Sequence, residues 1–459
     1  MGLLLKCGHV VDPVAGRNGA FDILIDGDRI ARVGRGVPAD GADVLELPAS
    51  FVVTPGLIDM HVHLREPGQE HKETIATGLD SAVAGGFTAV ACMPNTDPIN
   101  DQAAVTQFIL KRAREVGLAR VYPIGAVSVG SRGEQITEMG DLRAAGCVAF
   151  TDDGRPVLTA LLMRRALEYA SMFDAPVIDH CEDPSLKGDG VAHEGAVAGL
   201  LGLRGIPGAA ESVMAERDIA MAELTGGRVH IAHMSARQSL RAVRAGKDHG
   251  APVTCEVTPH HFTLTDAALA ERGGYDTNLK MNPPLREAVD RDAMIDGLRD
   301  GSIDVIATDH APHHADEKSL EFDRAPFGIV GLETAVSLCF DRLVHPGVIG
   351  LPRLVELLSA APARILGVPG GTLVEGGPAD LTILAPDASV TVHASALRSK
   401  SKNTPFDGWT FRGAPAATIV GGRVVFVHES GPAALRSRLG PRTPTNSVAP
   451  AGAPGHPRH

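Results

Sequence analysis

The feature that most constrains this chain is a rhythm. Short apolar, β-branched runs recur near residues 52–60, 87–93, 120–127, 147–151, 176–180, 228–233, 252–258 and 303–308, with helical patterns between them. The runs are largely apolar rather than alternating, which is the signature of strands buried on both faces in a parallel sheet. The intervening segments read as helices. Glu211 to Leu224 is rich in helix formers and stops at Gly226-Gly227, and Leu285 to Leu298 is a second example. Eight such units over roughly 300 residues predict an α/β fold, a TIM-like (β/α)8 barrel over 55–371. A doubly wound open sheet is the alternative topology.

The two ends read differently. Phe21 to Ile25 alternates, meets Asp26-Gly27-Asp28, and resumes at Arg29 to Val33, a hairpin pattern. Asp380 to Leu384 reads as a strand, and Ala417 to Val427 as a hairpin around Gly421-Gly422. The segments 1–54 and 372–430 are therefore expected to form one small β-sandwich domain built from both chain ends. Residues 431–459 hold six prolines, four arginines and no acidic residue, which predicts a disordered tail.

Composition removes several function classes. With 43 basic and 55 acidic residues the formal charge is −12, the wrong sign for a general nucleic-acid or anionic-membrane binder. No apolar run approaches the length of a membrane span. Six dispersed cysteines, the closest pair being Cys147 and Cys181, form no CxxC and predict free thiols in a reducing cytoplasm. Histidine is the outlier, 19 residues against one Trp and three Tyr.

The histidines gather where barrel enzymes keep their chemistry, at the C-terminal ends of strands. The string Asp59-Met60-His61-Val62-His63 follows a first barrel strand expected at Phe51 to Ile58. Strand alternation puts His61 and His63 on one face, where two neutral imidazoles can hold one divalent metal. Other strand ends offer further ligand types: Asp152 and Asp153, His180, His233, and Asp309. Alternation admits only one of Asp152 and Asp153. Four histidines and two carboxylates exceed what one zinc needs, so two divalent ions are expected. His230 and His310 alternate away from His233 and Asp309, toward the outer layer or loops. His260-His261 read as support for the site or its loops.

Taken together, Pro55-Gly56-Leu57-Ile58-Asp59-Met60-His61-Val62-His63-Leu64-Arg65-Glu66-Pro67-Gly68, Met93-Pro94-Asn95-Thr96 and Thr308-Asp309-His310-Ala311-Pro312-His313 resemble the amidohydrolase superfamily, and within it the class I bacterial dihydroorotases. The likeness spans about residues 1–430. It implies reversible hydrolysis of (S)-dihydroorotate to N-carbamoyl-L-aspartate in pyrimidine synthesis, by a metal-bridged hydroxide. It implies that His61, His63 and Asp309 hold one metal, that His180 and His233 hold a second, and that Asp153 bridges the pair, with zinc the expected metal. Asp309 would be the catalytic proton carrier. Arg65, Asn95 and His313 would hold the substrate carboxylate, while Asn278, Phe327 and Gly328 would contact the ring. The related hydantoinases, dihydropyrimidinases and allantoinases bridge their metals with a carboxylated lysine. No lysine lies between Lys111 and Lys187, which argues against that group. A hydantoinase-like or allantoinase-like amidase, and a weakly catalytic scaffold for the aspartate carbamoyltransferase, are the alternatives. Association with that carbamoyltransferase, or as a homo-oligomer, is compatible with catalysis. The long segment from Ala311 to Val330 is expected to act as a lid.

Overall fold

A computed structural model describes residues 2–439 of the chain. Of the expected disordered tail, residues 431–439 are ordered, with a short helix Ala433–Arg436 that buries Leu435 in the sheet's core, and 440–459 lie outside the described residues.

The middle of the chain closes into a parallel barrel. Strand one, Leu57–Val62, pairs with strand two, Phe87–Cys92, which pairs with strand three, Arg120–Pro123. Strand four is reduced to Phe150, which bridges Gly125 on one side and Val177 on the other. Strands five (Val177–Asp179), six (Val229–Ile231), seven (Val253–Val257) and eight (Val305–Ile306) follow in order, all parallel. A parallel bridge between Val62 and His310 closes the ring. Helices lie between the strands as their apolar faces require. Ala209–Thr225 ends at Gly226 in the left-handed region, and Ala288–Asp300 ends the same way at Gly301. One large core unites the barrel and its helices, from Leu57 and Phe87 through Phe150 and Ile231 to Leu357.

Both chain ends build one eight-stranded sheet. Its main path runs Arg423–Val427, Thr410–Val420, Leu381–Thr391, Val52–Pro55, Leu3–Asp12, Arg17–Asp26 and Arg29–Gly34, and Asp43–Leu47 branches off Leu3–Asp12. Strands from the two ends meet where Val52–Pro55 pairs antiparallel with Leu381 to Leu384. Leu5, Ile23 and Ile30 from one end share a core with Leu381, Ile383 and Ile419 from the other. The strands of both ends are joined in one continuous hydrogen-bonded sheet, as the two β-rich ends predict.

The expected first barrel strand is divided. Val52–Pro55 belongs to the β-sheet and Leu57–Val62 to the barrel, with Gly56 between them. Only glycine fits the joint, since a Cβ there would lie 2.1 Å from Thr88 Oγ1. The Gly56 N–H donates to Asp380 O at 2.9 Å, and its carbonyl accepts from Ser359 Oγ at 2.7 Å. The shift carries His61 into the strand itself rather than the loop beyond it.

Candidate metal centre and substrate pocket

Strand ends one, four, five, six and eight bring six buried side chains together. His61, His63 and Asp309 present ligand atoms within 4.8 Å of one another, and so do His61, Asp153 and His233. Asp153 faces His61, His63, His233 and His180 at 3.5–3.8 Å. Asp152 turns away and accepts from the Ser128 N–H and hydroxyl, so Asp153 is the aspartate that faces the imidazoles. His180 Nδ1 lies 2.9 Å from His233 Nε2.

These groups suit a cation. His61 Nε2, Asp153 Oδ1 and His233 Nδ1 are buried without a hydrogen-bond partner, an expensive state for a polar atom unless a ligand completes it. Burial opposes charge at Asp153, yet His61 and its other imidazole neighbours hold its carboxyl well below the usual range. Burial likewise opposes charge at His61, but the Asp153 and Glu256 carboxylates push it well above its ordinary value. At Asp309 the His63 hydrogen bond and the surrounding imidazoles overcome burial and bring the carboxyl to about 2. Three site residues other than glycine sit in the left-handed region, Arg65 at φ 62°, His233 at 27° and Asp309 at 49°. Such conformations cost energy and persist where the surroundings over-determine them.

Two neighbours orient the imidazoles, as metal-binding histidines generally require. His63 Nδ1 lies 2.9 Å from Asn95 Oδ1, so its N–H donates there and Nε2 faces the cluster. His61 Nδ1 likewise meets Glu256 Oε1 at 2.6 Å. Glu256 also accepts from the His233 backbone N–H at 3.2 Å and lies 3.3 Å from His230 Nε2. Sequence reasoning missed Glu256 and sent His230 outward; the structure buries both fully and joins them across strands six and seven. The available signal was a lone acidic residue inside an apolar strand, Val253–Val257. His310 is buried against Glu73 and the Gly331 N–H, and His261 against Thr258 and the Pro283 carbonyl.

A pocket of about 320 Å³ opens over the cluster, a size suited to a small molecule. Arg65, Asn95, His313, Phe327 and Gly328 line it, with Lys187 and Asn282 as unforeseen additions. Asn278 is not in that lining. It sits on the turn Thr277–Leu279 with its Oδ1 buried and unpartnered. Asn282 lies in the wall, its Nδ2 3.1 Å from His180 Nε2. A larger groove of about 840 Å³ on the β-sheet shares no residue with this pocket.

The pocket wall carries a buried cation. Arg65 is only 7 % exposed. Its Nε donates to Pro312 O at 3.2 Å, and one terminal nitrogen lies 3.4 Å from His313 Nε2. Among the described residues no carboxylate pairs with it, and burial lowers it to about 10, so it remains charged near neutral pH. Burial, with Arg65 alongside, pushes His313 far below its ordinary value and keeps it neutral. His313 Nε2 faces Arg65, so the proton sits on Nδ1, which is buried 3.8 Å from Glu317 Oε2.

The Dihydro-orotase-like family matches residues 50–239. A dihydroorotase of Pelotomaculum thermopropionicum is 56 % identical over 425 residues, 93 % of this chain and 98 % of the relative. One from Anaeromyxobacter dehalogenans is 55 % identical over 433 residues, 94 % of this chain and 99 % of the relative. Among solved structures, the L-hydantoinase of Arthrobacter aurescens superposes with a TM-score of 0.83 at 24 % identity, covering 94 % of this chain and 96 % of that one. A D-hydantoinase from Thermus sp. gives 0.77 at 27 % identity, covering 93 % and 95 %. The structural likeness carries the barrel-and-sheet architecture, and the sequence likeness, at more than half identity over nearly the whole length of both chains, carries the rest: this chain belongs to the dihydroorotases, metal-dependent cyclic amidohydrolases.

Proposed function

We propose that the pocket binds (S)-dihydroorotate by its carboxylate and opens the ring reversibly to N-carbamoyl-L-aspartate. One observation carries this reading. Arg65 is a buried guanidinium with no carboxylate partner among the described residues, on the wall of the pocket above the metal-type cluster. A substrate carboxylate completes it, whereas a neutral ring leaves a buried charge unpaired. A further donor suits the same anion. Asn95 spends its Oδ1 on His63 and keeps its amide hydrogens for the pocket. His313 lines the same wall beside Arg65.

His61, His63 and Asp309 would hold one divalent ion and His180 and His233 a second, with Asp153 between them; zinc suits such a nitrogen and carboxylate set. The chemistry supplied by ions held there is Lewis acidity, which makes water nucleophilic near neutral pH and polarises a carbonyl oxygen. Asp309, ionised at neutral pH, accepts the proton of the attacking water and hands it to the ring nitrogen as the carbon–nitrogen bond breaks. The ring carbonyl becomes a carboxylate as the water's second proton goes to solvent, and the nitrogen remains in a ureido group. In reverse, Asp309 takes the nitrogen's proton, a second proton comes from solvent, and water departs. The six buried, unbridged cysteines support a reducing cytoplasm as the place of work.

Replacing Arg65 by Met tests the reading. It should raise KM for dihydroorotate roughly 100-fold, the cost of a charge-assisted pair, while altering a neutral cyclic amide far less. Equal losses on both substrates would contradict the carboxylate role.

A further inference from the structure

Two buried lysines lie behind the pocket and take no part in the chemistry described above. Lys280 is 2 % exposed and Lys318 8 %. Lys280 Nζ donates to Asp323 O at 3.1 Å and to Ala325 O at 2.7 Å. Lys318 Nζ donates to Pro326 O at 3.0 Å and to Gly328 O at 3.1 Å. Four of the six carbonyls from 323 to 328 are thus held by two ammonium groups. The Lys280 Nζ also stands 4.5 Å from the centroid of the Phe327 ring, within cation–π range. This segment carries Phe327 and Gly328, which line the pocket.

Burying an ammonium is costly, and an apolar side chain could fill the same space without that cost. Carbonyl dipoles converging on each cation offset it. The arrangement fixes backbone orientation rather than volume. Other contacts make the loop a wall instead of the swinging lid that its length suggests. The Gly328 N–H donates to Lys280 O at 2.8 Å, Asn403 Nδ2 donates to Gly328 O at 3.1 Å, and the Ala311 N–H donates to Ile329 O at 2.7 Å. Gly328 holds φ at 112°, and a Cβ there would lie 2.6 Å from the Ala311 Cβ.

We propose that Lys280 and Lys318 are positioning residues for substrate binding: their ammonium groups clamp the 323–328 backbone and so set Phe327 and Gly328 against the ring. The inference rests on the pocket being the dihydroorotate site. Charge matters to the clamp, and both groups lose it within reach of neutral pH. Burial, with Lys280 nearby, brings Lys318 to about 7 against the attraction of Asp276 and Glu317. Burial brings Lys280 to about 8, with Asp323 opposing and Lys187 and Arg204 assisting. Above these values the amines are neutral and the hold on the carbonyls weakens, so substrate affinity falls as pH rises.

Lys280→Met and Lys318→Met keep most of the stem and remove the ammonium. Each is expected to raise KM for dihydroorotate about ten-fold with kcat within about two-fold, and to speed amide exchange over 323–328 alone. In the wild type, KM should climb from about pH 6 to about pH 9, and K318M should flatten the lower part of that rise. Unchanged KM and exchange in both variants would overturn the proposal. Loss of protection throughout the barrel, with kcat falling as far as kcat/KM, would also overturn it, since that marks a general structural role. If the variants do not fold, wild-type exchange over 323–328 decides, corrected for its intrinsic pH dependence: protection that falls with pH supports the clamp, and constant protection refutes it. Exchange requires no turnover. A wild type inert toward dihydroorotate would therefore count against the substrate reading alone.

Discussion

Glu256 and Asn95 do the same work on two different imidazoles. Each takes a ring Nδ1–H and turns the opposite nitrogen toward the cluster. Glu256 has the heavier task, because it also holds the His233 backbone. Replacing it by Gln keeps the shape and removes the charge-assisted acceptor. Metal affinity should fall about 10- to 100-fold, the usual scale for such partners, read by competition with a chelator of known affinity. An unchanged affinity would show that His61 needs no anionic support. Asp309 faces a different test. Asp309→Asn should cost about 10² to 10⁴ in turnover, the range for a lost proton carrier, while N-carbamoyl-aspartate binding survives in a calorimeter. Turnover retained in a metal-loaded D309N enzyme would remove Asp309 from that role.

At the scale of elements, Gly56 is the joint between the sheet and the barrel. A methyl group there must displace Thr88, whose side chain would stand 2.1 Å away. Gly56→Ala should destabilise by about 1–3 kcal/mol, the usual cost of overpacking, seen as a lower thermal midpoint. An unchanged midpoint would mean that the joint is slack. This joint also marks where the sequence stops being readable. The run Phe51 to Met60 is mostly apolar, interrupted by Thr54, Pro55-Gly56 and Asp59, and its pattern does not show that one half joins the sheet and the other the barrel. Strand four is similar, with a strong pattern at 147–151 that survives only as bridges through Phe150. By contrast, the HxH and the strand-end histidines were legible, because period-two alternation and barrel topology put them on one side of one mouth. Glu256, Lys280 and Lys318 were not legible. Charged residues are exposed by default, and only the fold shows which are buried. Asn95 was half legible: its place at the end of strand two was readable, but its bond to His63 needed coordinates.

At the scale of the molecule, both chain ends fold into one sheet, so along the sequence the barrel is inserted between two halves of a single β-structure. Its strands one and eight are joined through Asp59, whose Oδ1 accepts from the His61 and Thr308 N–H groups at 3.1 Å. That closure brings His61, His63 and Asp309, distant in sequence, to one centre. No helix among the described residues is long and apolar enough to cross a membrane. A buried arginine without a carboxylate partner among the described residues stands beside this centre and favours an anionic ring. The most direct measurement is turnover of dihydroorotate, hydantoin and allantoin by the chain purified without chelator, with bound metal measured on the same sample. The account predicts chelator-sensitive hydrolysis of dihydroorotate in strong preference to the neutral rings, with about two metals per chain. Hydrolysis of a neutral ring in preference, or turnover of dihydroorotate by protein stripped of metal, would contradict it.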